Sequence, residues 1–536
     1  MQDFPLTITS VLRHGAEVFG GGEVVTYTGD GTRRRSYADL ADRAARLASA
    51  LRALGVDADQ RVATFMWNNT EHLEAYFAVP SMGAVLHTLN IRLFPDQLTY
   101  IADHAEDEVI LVDATLIPLL AGVLGDMKTV RNVIVVGDGD RTPLEGAGKE
   151  VHGYEDLLAA QDGGFDWPDL DERSAAAMCY TSGTTGNPKG VVYSHRSAYL
   201  HSMSVCTGNA VGLSAADTVL PVVPMFHANA WGFPYAAVMA GASLLMPDRF
   251  LQAEHLCRMI EAERPTVSGA VPTIWGDVLR YVREHGTDLT SLRMVTCGGS
   301  AVPEALMRGF EDIGVRIVQA WGMTETSPLA TVAHPPADAD GDAHWRYRVT
   351  QGRALAGVEA RVVGDGDVVL PHDGSSVGEI QVRGPWITGA YHRDEDAARF
   401  HDGWLRTGDV GTISPDGYMT LTDRAKDVIK SGGEWISSVE LENHLMAHPD
   451  VIEAAVVGVP DDRWSERPLA SVVLREGAAT DAAGLKKFLA ERVARWQLPE
   501  RWAFVTEIPK TSVGKFSKRT LRRRYADGEL EIVRVD

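Results

Sequence analysis

The sequence YTSGTTGNPKG, which runs from Tyr180 to Gly190, is the most informative stretch of the chain. It places three glycines, four aliphatic hydroxyl groups and one lysine within eleven positions. The apolar runs on either side, 175–180 and 191–193, predict buried strands. Glycines let backbone N–H groups surround an anion, while hydroxyl and ammonium groups add donors and positive charge. The stretch therefore predicts a phosphate-binding loop between two strands.

This loop differs from the P-loop of kinases and GTPases, in which a lysine is followed by Ser or Thr at the start of a helix. Here Gly190 follows Lys189, and a strand pattern comes next. Composition alone would also allow a flexible surface loop. The order of the residues, however, resembles the phosphate-binding signature of the adenylate-forming superfamily, which includes acyl-CoA synthetases, adenylation domains of peptide synthetases and firefly luciferase.

The composition excludes several classes of protein. The chain has 536 residues, with 51 Lys and Arg against 73 Asp and Glu, and a formal net charge of -22. A general nucleic-acid-binding protein needs a basic surface, so we expect no nucleic-acid partner. Four scattered cysteines without metal-ligand spacing predict free thiols in a reducing compartment. We see neither a signal peptide nor an apolar run long enough to span a membrane, so the expectation is a cytoplasmic protein.

The pattern of helices and strands predicts an α/β fold. Residues 36–51 have apolar positions three and four apart after a Ser cap, which is typical of a helix. Strands alternate with such helices, so we expect parallel or mixed sheets in a large N-terminal domain. A β-rich subdomain begins near 345, and the last 110 or so residues predict a small, mobile α+β domain. We place the two domains at 1–424 and 425–536.

Four further motifs combine residue types that can bind a nucleotide. Trp321 to Glu325 offers an aromatic plane, a hydroxyl and a carboxylate, and Asp409 with Arg424 offers a pair for ribose. The turns at 430–435 and 510–515 present lysines beside glycines. Each motif alone has a structural alternative: a Trp-Gly turn, an ion pair or a solvated basic helix.

Together the motifs match the superfamily in order and type, from about residue 35 to 525. Residues 224–231 and 423–437 look like bacterial medium- and long-chain fatty-acyl-CoA synthetases. In one respect the chain departs from the pattern, because most relatives have Tyr where Trp321 stands. Stacking on a base survives that change.

The resemblance implies a role for each motif residue. The phosphates of ATP would be held by Thr181, Ser182, Gly183, Thr184, Thr185, Gly186 and Lys189, with Thr181 and Glu325 at Mg²⁺. Glu325 is the only acid of these motifs beside the triphosphate. The adenine and α-phosphate would contact Gly299, Gln319, Ala320, Trp321 and Thr324, and the ribose would contact Asp409 and Arg424. The acid would lie among His227, Trp231, Gly299 and Gly322, with Trp231 as a gate. Lys426 would be the hinge, Lys515 the catalytic lysine, and Lys430 and Trp435 part of the nucleotide and CoA side.

The implied activity is ligation of a medium- or long-chain fatty acid to CoA through acyl-AMP, with ATP and Mg²⁺. A short, sulfur-containing or aryl acid is an alternative substrate, and a carrier protein is an alternative acceptor. A nucleotide- or acyl-CoA-sensing protein without catalysis is the rival from another class, against which the intact Lys189, Glu325, Asp409 and Lys515 argue. The resemblance also implies a homodimer.

Overall fold

A computed structural model describes residues 1–181, 187–394, 396, 398–424, 426–431, 434–511 and 514–535, and leaves the side chains of 434 and 435 out. Its α-helices are α1 Ile8–Val18, α2 Tyr37–Ala53, α3 Thr70–Ser81, α4 Pro95–Ala105, α5 Ile117–Leu124, α6 Tyr154–Ala159, α7 His195–Val205, α8 Phe233–Ala240, α9 Ala253–Glu263, α10 Pro272–His285, α11 Glu304–Glu311, α12 Gly341–Arg348, α13 Ser438–Met446, α14 Ala482–Ala490 and α15 Lys518–Ala526.

The strands of the first half are β1 Glu23–Tyr27, β2 Thr32–Ser36, β3 Arg61–Phe65, β4 Val85–Thr88, β5 Asp107–Asp113, β6 Asn132–Val136, β7 Glu150–Gly153, β8 Ala175–Tyr180, β9 Gly190–Ser194, β10 Thr218–Pro221, β11 Ser243–Met246 and β12 Val267–Ala270. The strands of the second half are β13 Met294–Cys297, β14 Ile317–Gly322, β15 Leu329–Val332, β16 Gly352–Ala354, β17 Glu359–Val363, β18 Val369–Leu370, β19 Gly378–Arg383, β20 Phe400–His401, β21 Trp404–Ile413, β22 Tyr418–Arg424, β23 Ile429–Ser431, β24 Glu434–Ile436, β25 Val451–Asp461, β26 Ser465–Leu474, β27 Arg501–Phe504 and β28 Val533–Arg534.

Local sequence explains many of these boundaries. Ser36 caps α2 through a reciprocal capping box with Asp39, and both of its hydrogen bonds are present. Capping satisfies N–H groups that have no partner within the first turn. The buried face of α2 carries Leu40, Leu47 and Leu51, spaced as the sequence predicts. The helix expected over 36–51 is therefore confirmed, and it continues for two further residues to Ala53.

Two large sheets build the N-terminal part. One has the order β7-β6-β5-β3-β4-β8-β9 and is parallel except for the β8–β9 pair. The other contains a parallel region of β1 and β10 to β14, and continues as antiparallel strands from β15 onward. This antiparallel extension contains the glycine-rich segments after 345. The predicted α/β class with a β-rich subdomain is confirmed.

The third sheet has the order β24-β23-β26-β27-β28, with β25 paired to β26. It is covered by α13, α14 and α15, whose apolar residues Leu441, Leu485 and Leu521 are buried. The chain leaves the large sheet after Arg424 and enters the third sheet at Ile429. The division of the chain into domains at 1–424 and 425–536 stays a prediction. Among the described residues, no helix is long and apolar enough to cross a bilayer.

Candidate active site

A cavity of about 470 Å³ lies where the phosphate-loop strands, β14 and the C-terminal unit meet. Most of the predicted site residues line it: Thr181, Lys189, His227, Trp231, Gly299, Ala320, Trp321, Gly322, Thr324, Glu325, Arg424, Lys426 and Lys515. A second cavity, of about 830 Å³, shares several of these residues and adds Gln319 and Asp409. Residues up to 334 positions apart in the chain, Thr181 and Lys515, therefore face one space.

Some predicted residues lie elsewhere or serve another purpose. Ser182, Gly183, Thr184, Thr185 and Gly186 fall outside the described residues, as does the side chain of Trp435. Lys430 is exposed on β23, and neither cavity includes it in its lining.

The Gln319 side chain has its hydrogen bonds taken by the backbone. Its Oε1 accepts from the Val302 N–H at 2.9 Å, and its Nε2 donates to the Thr350 carbonyl at 2.6 Å. Gln319 is 2% exposed. Its side chain therefore holds the loop after β13 in place. The residue also lines the second cavity.

Lys515 reaches the cavity from a tight hairpin in the C-terminal unit. The Thr511 N–H donates to the Lys515 carbonyl at 2.6 Å, and Gly514 has a φ of +81°. The left-handed region favours glycine, so the turn depends on that residue. Across the interface, Thr273 Oγ1 donates to the Gly514 carbonyl at 3.4 Å. The hairpin thereby delivers the lysine to the N-terminal half of the site.

The end of the lysine lies against Gly299. A Cβ built on Gly299 would be 3.2 Å from Lys515 Cε. Burial, the largest cause, acts together with the nearby Arg424 and Lys426 to lower the pKa of Lys515 to about 8, although Asp409 and Glu325 act in the opposite direction. The ammonium group is therefore largely charged at neutral pH, in a site where its charge is poorly screened.

Asp409 and Arg424 face each other across the β21–β22 pair. Arg424 Nε lies 3.4 Å from Asp409 Oδ1, and Trp321 Nε1 donates to Asp409 Oδ2 at 2.8 Å. The ion pair that the sequence allowed is present, and the carboxylate lies on the lining of the second cavity. The hydrogen bond from Trp321 was not predicted, because the sequence suggested only a stacking surface for that residue.

Sequence reasoning missed the residues that surround Glu325. Its Oε1 accepts a hydrogen bond from the Tyr391 hydroxyl at 2.7 Å, and Arg399 Nη2 lies 3.8 Å from the same oxygen. Glu325 is 4% exposed and sits in the 3-10 turn Thr324–Thr326. Tyr391 and Arg399 both line the first cavity. The tyrosine follows a Thr-Gly-Ala turn that resembles many others, so nothing local in the sequence marked it.

Lys189 has acidic partners that the motifs did not predict. Its Nζ lies 2.7 Å from Asp396 Oδ2, 3.1 Å from Asp394 Oδ2, and 4.8 Å from the centre of the Tyr391 ring. The hydrogen bond with Asp396 raises the pKa of Lys189, and the same contact lowers the pKa of Asp396. Glu325 is therefore not the only acid of this region, because Asp394 and Asp396 lie beside Lys189, the lysine predicted to bind phosphate.

His227 and Trp231 both line the first cavity. Burial, together with the nearby charges of Lys515 and Arg92, lowers the pKa of His227 to about 3, so the imidazole is neutral at physiological pH. Residues 228–231 have φ angles of 43°, 51°, 50° and 57°. Asn229 holds this left-handed turn: its Oδ1 accepts from Cys179 Sγ at 3.0 Å and from the Tyr76 hydroxyl at 3.4 Å.

Two protein-family models match this chain. A model of the AMP-binding enzyme family matches residues 12–392, and a model of the AMP-binding enzyme C-terminal domain matches residues 440–515. The chain belongs to the AMP-binding enzymes. The predicted membership of the adenylate-forming superfamily is confirmed.

Relatives and a solved structure narrow the class of this AMP-binding enzyme. A 3-methylmercaptopropionyl-CoA ligase of Ruegeria pomeroyi is 46% identical over 98% of each chain. A medium-chain-fatty-acid–CoA ligase of Ectopseudomonas oleovorans is 44% identical over 97% of this chain and 96% of that one. An anthranilate CoA ligase in complex with anthranoyl-AMP superposes with a TM-score of 0.89 at 26% identity, over 99% and 100% of the two chains. The predicted acyl-CoA ligase, with ATP and CoA as co-substrates, is confirmed.

The residues of this AMP-binding enzyme also fit Mg²⁺ that arrives with ATP. Among the described residues, no group of three or more His, Cys, Asp and Glu side chains could hold a metal by itself. Mg²⁺ in nucleotide sites is held by one or two carboxylates together with substrate phosphates and water. A single buried carboxylate, Glu325, on the wall of the cavity suits that arrangement. Thr181 is fixed nearby, because the Lys189 N–H donates to its Oγ1 at 3.1 Å.

Proposed function

We propose that this enzyme adenylates an acid with a short or medium-length apolar tail, and that it then transfers the acyl group to CoA. The observation that carries the proposal is the position of Lys515. Its side chain enters the cavity beside Gly299, close enough to His227 to lower the pKa of that histidine. An ammonium group at this place supports attack by a carboxylate on a phosphate, since both partners are anions.

In the first half-reaction, a carboxylate oxygen of the acid attacks the α-phosphorus of ATP, and the bond to pyrophosphate breaks. We assign Lys515 to the negative charge that crowds between the acid and the α-phosphate. Lys189 and Arg399 also line this cavity, and we assign them to the pyrophosphate. Bound Mg²⁺ would supply further positive charge at the phosphate oxygens. Fixed charges of this kind stabilise a transition state without reorganisation.

His227 contributes without adding charge. Because its pKa is far below neutrality, the imidazole remains a neutral hydrogen-bonding group beside the acid carboxylate. A protonated histidine there would hold the carboxylate as an ion pair and reduce its nucleophilicity. We therefore assign His227 to the orientation of the acid rather than to proton transfer.

In the second half-reaction, the CoA thiol attacks the acyl carbonyl and AMP leaves with the bonding electrons. We propose that the C-terminal unit, residues 425–536, rotates about Lys426 between the two steps. Lys515 occupies the cavity in the present arrangement, which corresponds to adenylation. The turn at 432–433, outside the described residues, would then enter on the CoA side.

The acyl end of the cavity supports a tail of limited length. It is bounded by Trp231, Met323 and Leu329, and the tip of the Trp231 indole lies 3.8 Å from a Cβ built on Gly298. Aromatic, thioether and aliphatic groups attract a tail of the same character, and sulfur contacts aromatic rings favourably. 3-Methylmercaptopropionate and medium-length fatty acids both have such tails. A long-chain acid would require Trp231 to move.

A panel of acids tests this proposal. We expect AMP formation with CoA to be fastest for 3-methylmercaptopropionate, butanoate, hexanoate or octanoate, and slower for palmitate and benzoate. Each methylene in a well-fitted apolar pocket changes kcat/KM by about tenfold or more. Equal rates for all acids of the panel would contradict the proposed limit on the length of the apolar tail. AMP formation with a carrier protein but not with CoA would contradict the proposal that CoA accepts the acyl group.

Two further expectations belong to this proposal. Cys179, Cys206, Cys257 and Cys297 are all unpaired, which supports a reducing compartment such as the cytoplasm. A homodimer remains a prediction from the family resemblance alone.

A further inference from the structure

Tyr391 lies between Glu325, assigned to Mg²⁺, and Lys189, assigned to the phosphates, although none of the motifs above includes it. Its hydroxyl donates to Glu325 Oε1 at 2.7 Å, and its ring lies 4.8 Å from Lys189 Nζ. The tyrosine is 6% exposed. It is therefore a buried residue that contacts, through different parts of one side chain, both the proposed metal carboxylate and the phosphate lysine.

We propose that Tyr391 is a positioning residue for the metal–triphosphate end of the site: its hydroxyl sets the orientation of the Glu325 carboxylate, and its ring supports the Lys189 ammonium group. This inference rests on the proposed adenylation at this site. It adds to that function a residue that acts through two others.

The hydroxyl contact fixes which carboxylate oxygen is free. Among the described side chains, the two partners of Glu325, Tyr391 and Arg399, both lie at Oε1. No contact of Oε2 with a described side chain is seen, and we assign that oxygen to the cation. Outer partners that orient a ligating group commonly change metal affinity by 10- to 100-fold when they are removed.

The backbone around Tyr391 is anchored on both sides, which makes its side chain a rigid support. The Thr388 N–H donates to the Glu325 carbonyl at 2.8 Å, and the His392 N–H donates to the Gly190 carbonyl at 2.8 Å. The first bond ties the segment to the Glu325 turn, and the second ties it to β9. The ring face then offers Lys189 a cation–π contact of the usual geometry.

The test compares Tyr391→Phe, which removes only the hydroxyl, with wild type. Mn²⁺ replaces Mg²⁺ as a metal visible by electron paramagnetic resonance, and α,β-methylene-ATP replaces ATP so that no turnover occurs. We expect Mn²⁺ to bind the Tyr391→Phe complex about 10-fold more weakly. Binding of the nucleotide without metal should be unchanged, because the ring beneath Lys189 is retained.

Tyr391→Leu removes the ring as well. We expect it to weaken nucleotide binding even without metal, by about threefold, because a cation–π contact with a partly exposed ammonium group contributes little free energy. Phe400→Leu is the matched control. Phe400 packs against Tyr391 at 5.2 Å between ring centres but carries no hydroxyl group to donate to Glu325, so Mn²⁺ affinity should match wild type. Thermal unfolding of each variant shows whether the fold is retained.

The outcomes separate the inference from the function. Wild-type Mn²⁺ affinity in Tyr391→Phe would overturn the role of the hydroxyl, and an equal loss in Phe400→Leu would show that packing alone matters. Absence of nucleotide-dependent Mn²⁺ binding in wild type would overturn both the inference and the assignment of Glu325 to the metal. A metal-specific loss in Tyr391→Phe alone supports the proposal.

Discussion

Trp321 Nε1 donates a 2.8 Å hydrogen bond to Asp409 Oδ2, so the residue expected only to stack on adenine also orients the carboxylate expected to bind ribose. Both side chains are largely buried, with exposures of 7% each. Burial removes competition from water and makes a bond to a charged acceptor more valuable. The predicted adenine and ribose contacts are thereby linked through one side chain.

This link predicts the effect of Trp321→Phe, which retains an aromatic face but loses the donor. Hydrogen bonds to charged groups contribute about 1.5–3 kcal/mol, so we expect ATP to bind about 10-fold more weakly. Trp321→Tyr, the residue of most relatives by resemblance, is the control for the size of the ring. Unchanged ATP affinity of Trp321→Phe in calorimetric titration would show that the bond does not assist binding.

Lys515 predicts a pH dependence for adenylation. Its lowered pKa, about 8, means that the required ammonium form is present below that pH and is lost as the pH rises through it. Pyrophosphate release should therefore fall about tenfold per pH unit above 8. Lys515→Arg should lose this decline, because a guanidinium stays charged. A decline that persists in Lys515→Arg would assign it to another group.

Lys515→Ala separates the two half-reactions. We expect pyrophosphate release to fall by two to three orders of magnitude, about 3 kcal/mol or more of transition-state stabilisation. Conversion of synthetic acyl-AMP and CoA to the thioester should continue. Proportional loss of both steps would contradict a lysine that serves adenylation alone.

Asp396 predicts a variant with higher ATP affinity. It pairs with Lys189 at 2.7 Å, so a triphosphate held by that lysine would displace it. The pair is partly solvent-exposed and its contribution is small, so Asp396→Asn should lower the KM for ATP by about threefold. Asp367→Asn, which affects an exposed pair with Arg406 at 3.6 Å, is a matched control. A higher KM in Asp396→Asn would mean that the acid assists ATP binding.

Trp231 predicts a change in substrate range. If its indole closes the acyl end of the cavity, Trp231→Ala should raise kcat/KM for palmitate relative to octanoate. Removal of a tryptophan from a packed core would instead reduce stability by about 3–5 kcal/mol with an unchanged acid profile. Rates across the acid panel, together with thermal unfolding, distinguish the two results.

Asp423 and Ser438 predict how the adenylation arrangement is retained. They lie on opposite sides of Lys426, and the Ser438 N–H donates to Asp423 Oδ2 at 2.8 Å. Lys518 supports this contact, because its Nζ donates a hydrogen bond to Ser438 Oγ and forms an ion pair with Glu442. Asp423→Asn should therefore slow pyrophosphate release more than thioester formation. Glu500→Gln, which breaks a pair with Arg467 inside the C-terminal unit, should leave that ratio unchanged.

The parts of the fold that depend on local sequence could be predicted. The helix after Ser36 follows from its cap and apolar spacing, and the strands beside the phosphate loop follow from short apolar runs. The site residues with strong chemical character, such as Lys515 and Glu325, were recognisable because their motifs are specific in combination. Their meeting in one cavity required the topology of the sheets.

Other features could not be predicted, for two physical reasons. Asp396 and Lys189 are 207 residues apart, and no local pattern encodes a contact across that separation. The left-handed turn at 228–231 is built from Ala, Asn and Trp rather than glycine, so backbone preference points away from it. Tertiary contacts to Asn229 impose it instead.

The change of sheet between Arg424 and Ile429 has a practical consequence for engineering. Among the described residues, the large sheet and the C-terminal sheet share no strand, so no backbone ladder joins them. A chimera that carries residues 429–535 of a relative would need to preserve only side-chain matches at the seam, such as Asp423 with Ser438 and Thr273 with the Gly514 turn. The residues proposed to contact the acid, His227 and Trp231, would come from the other parent.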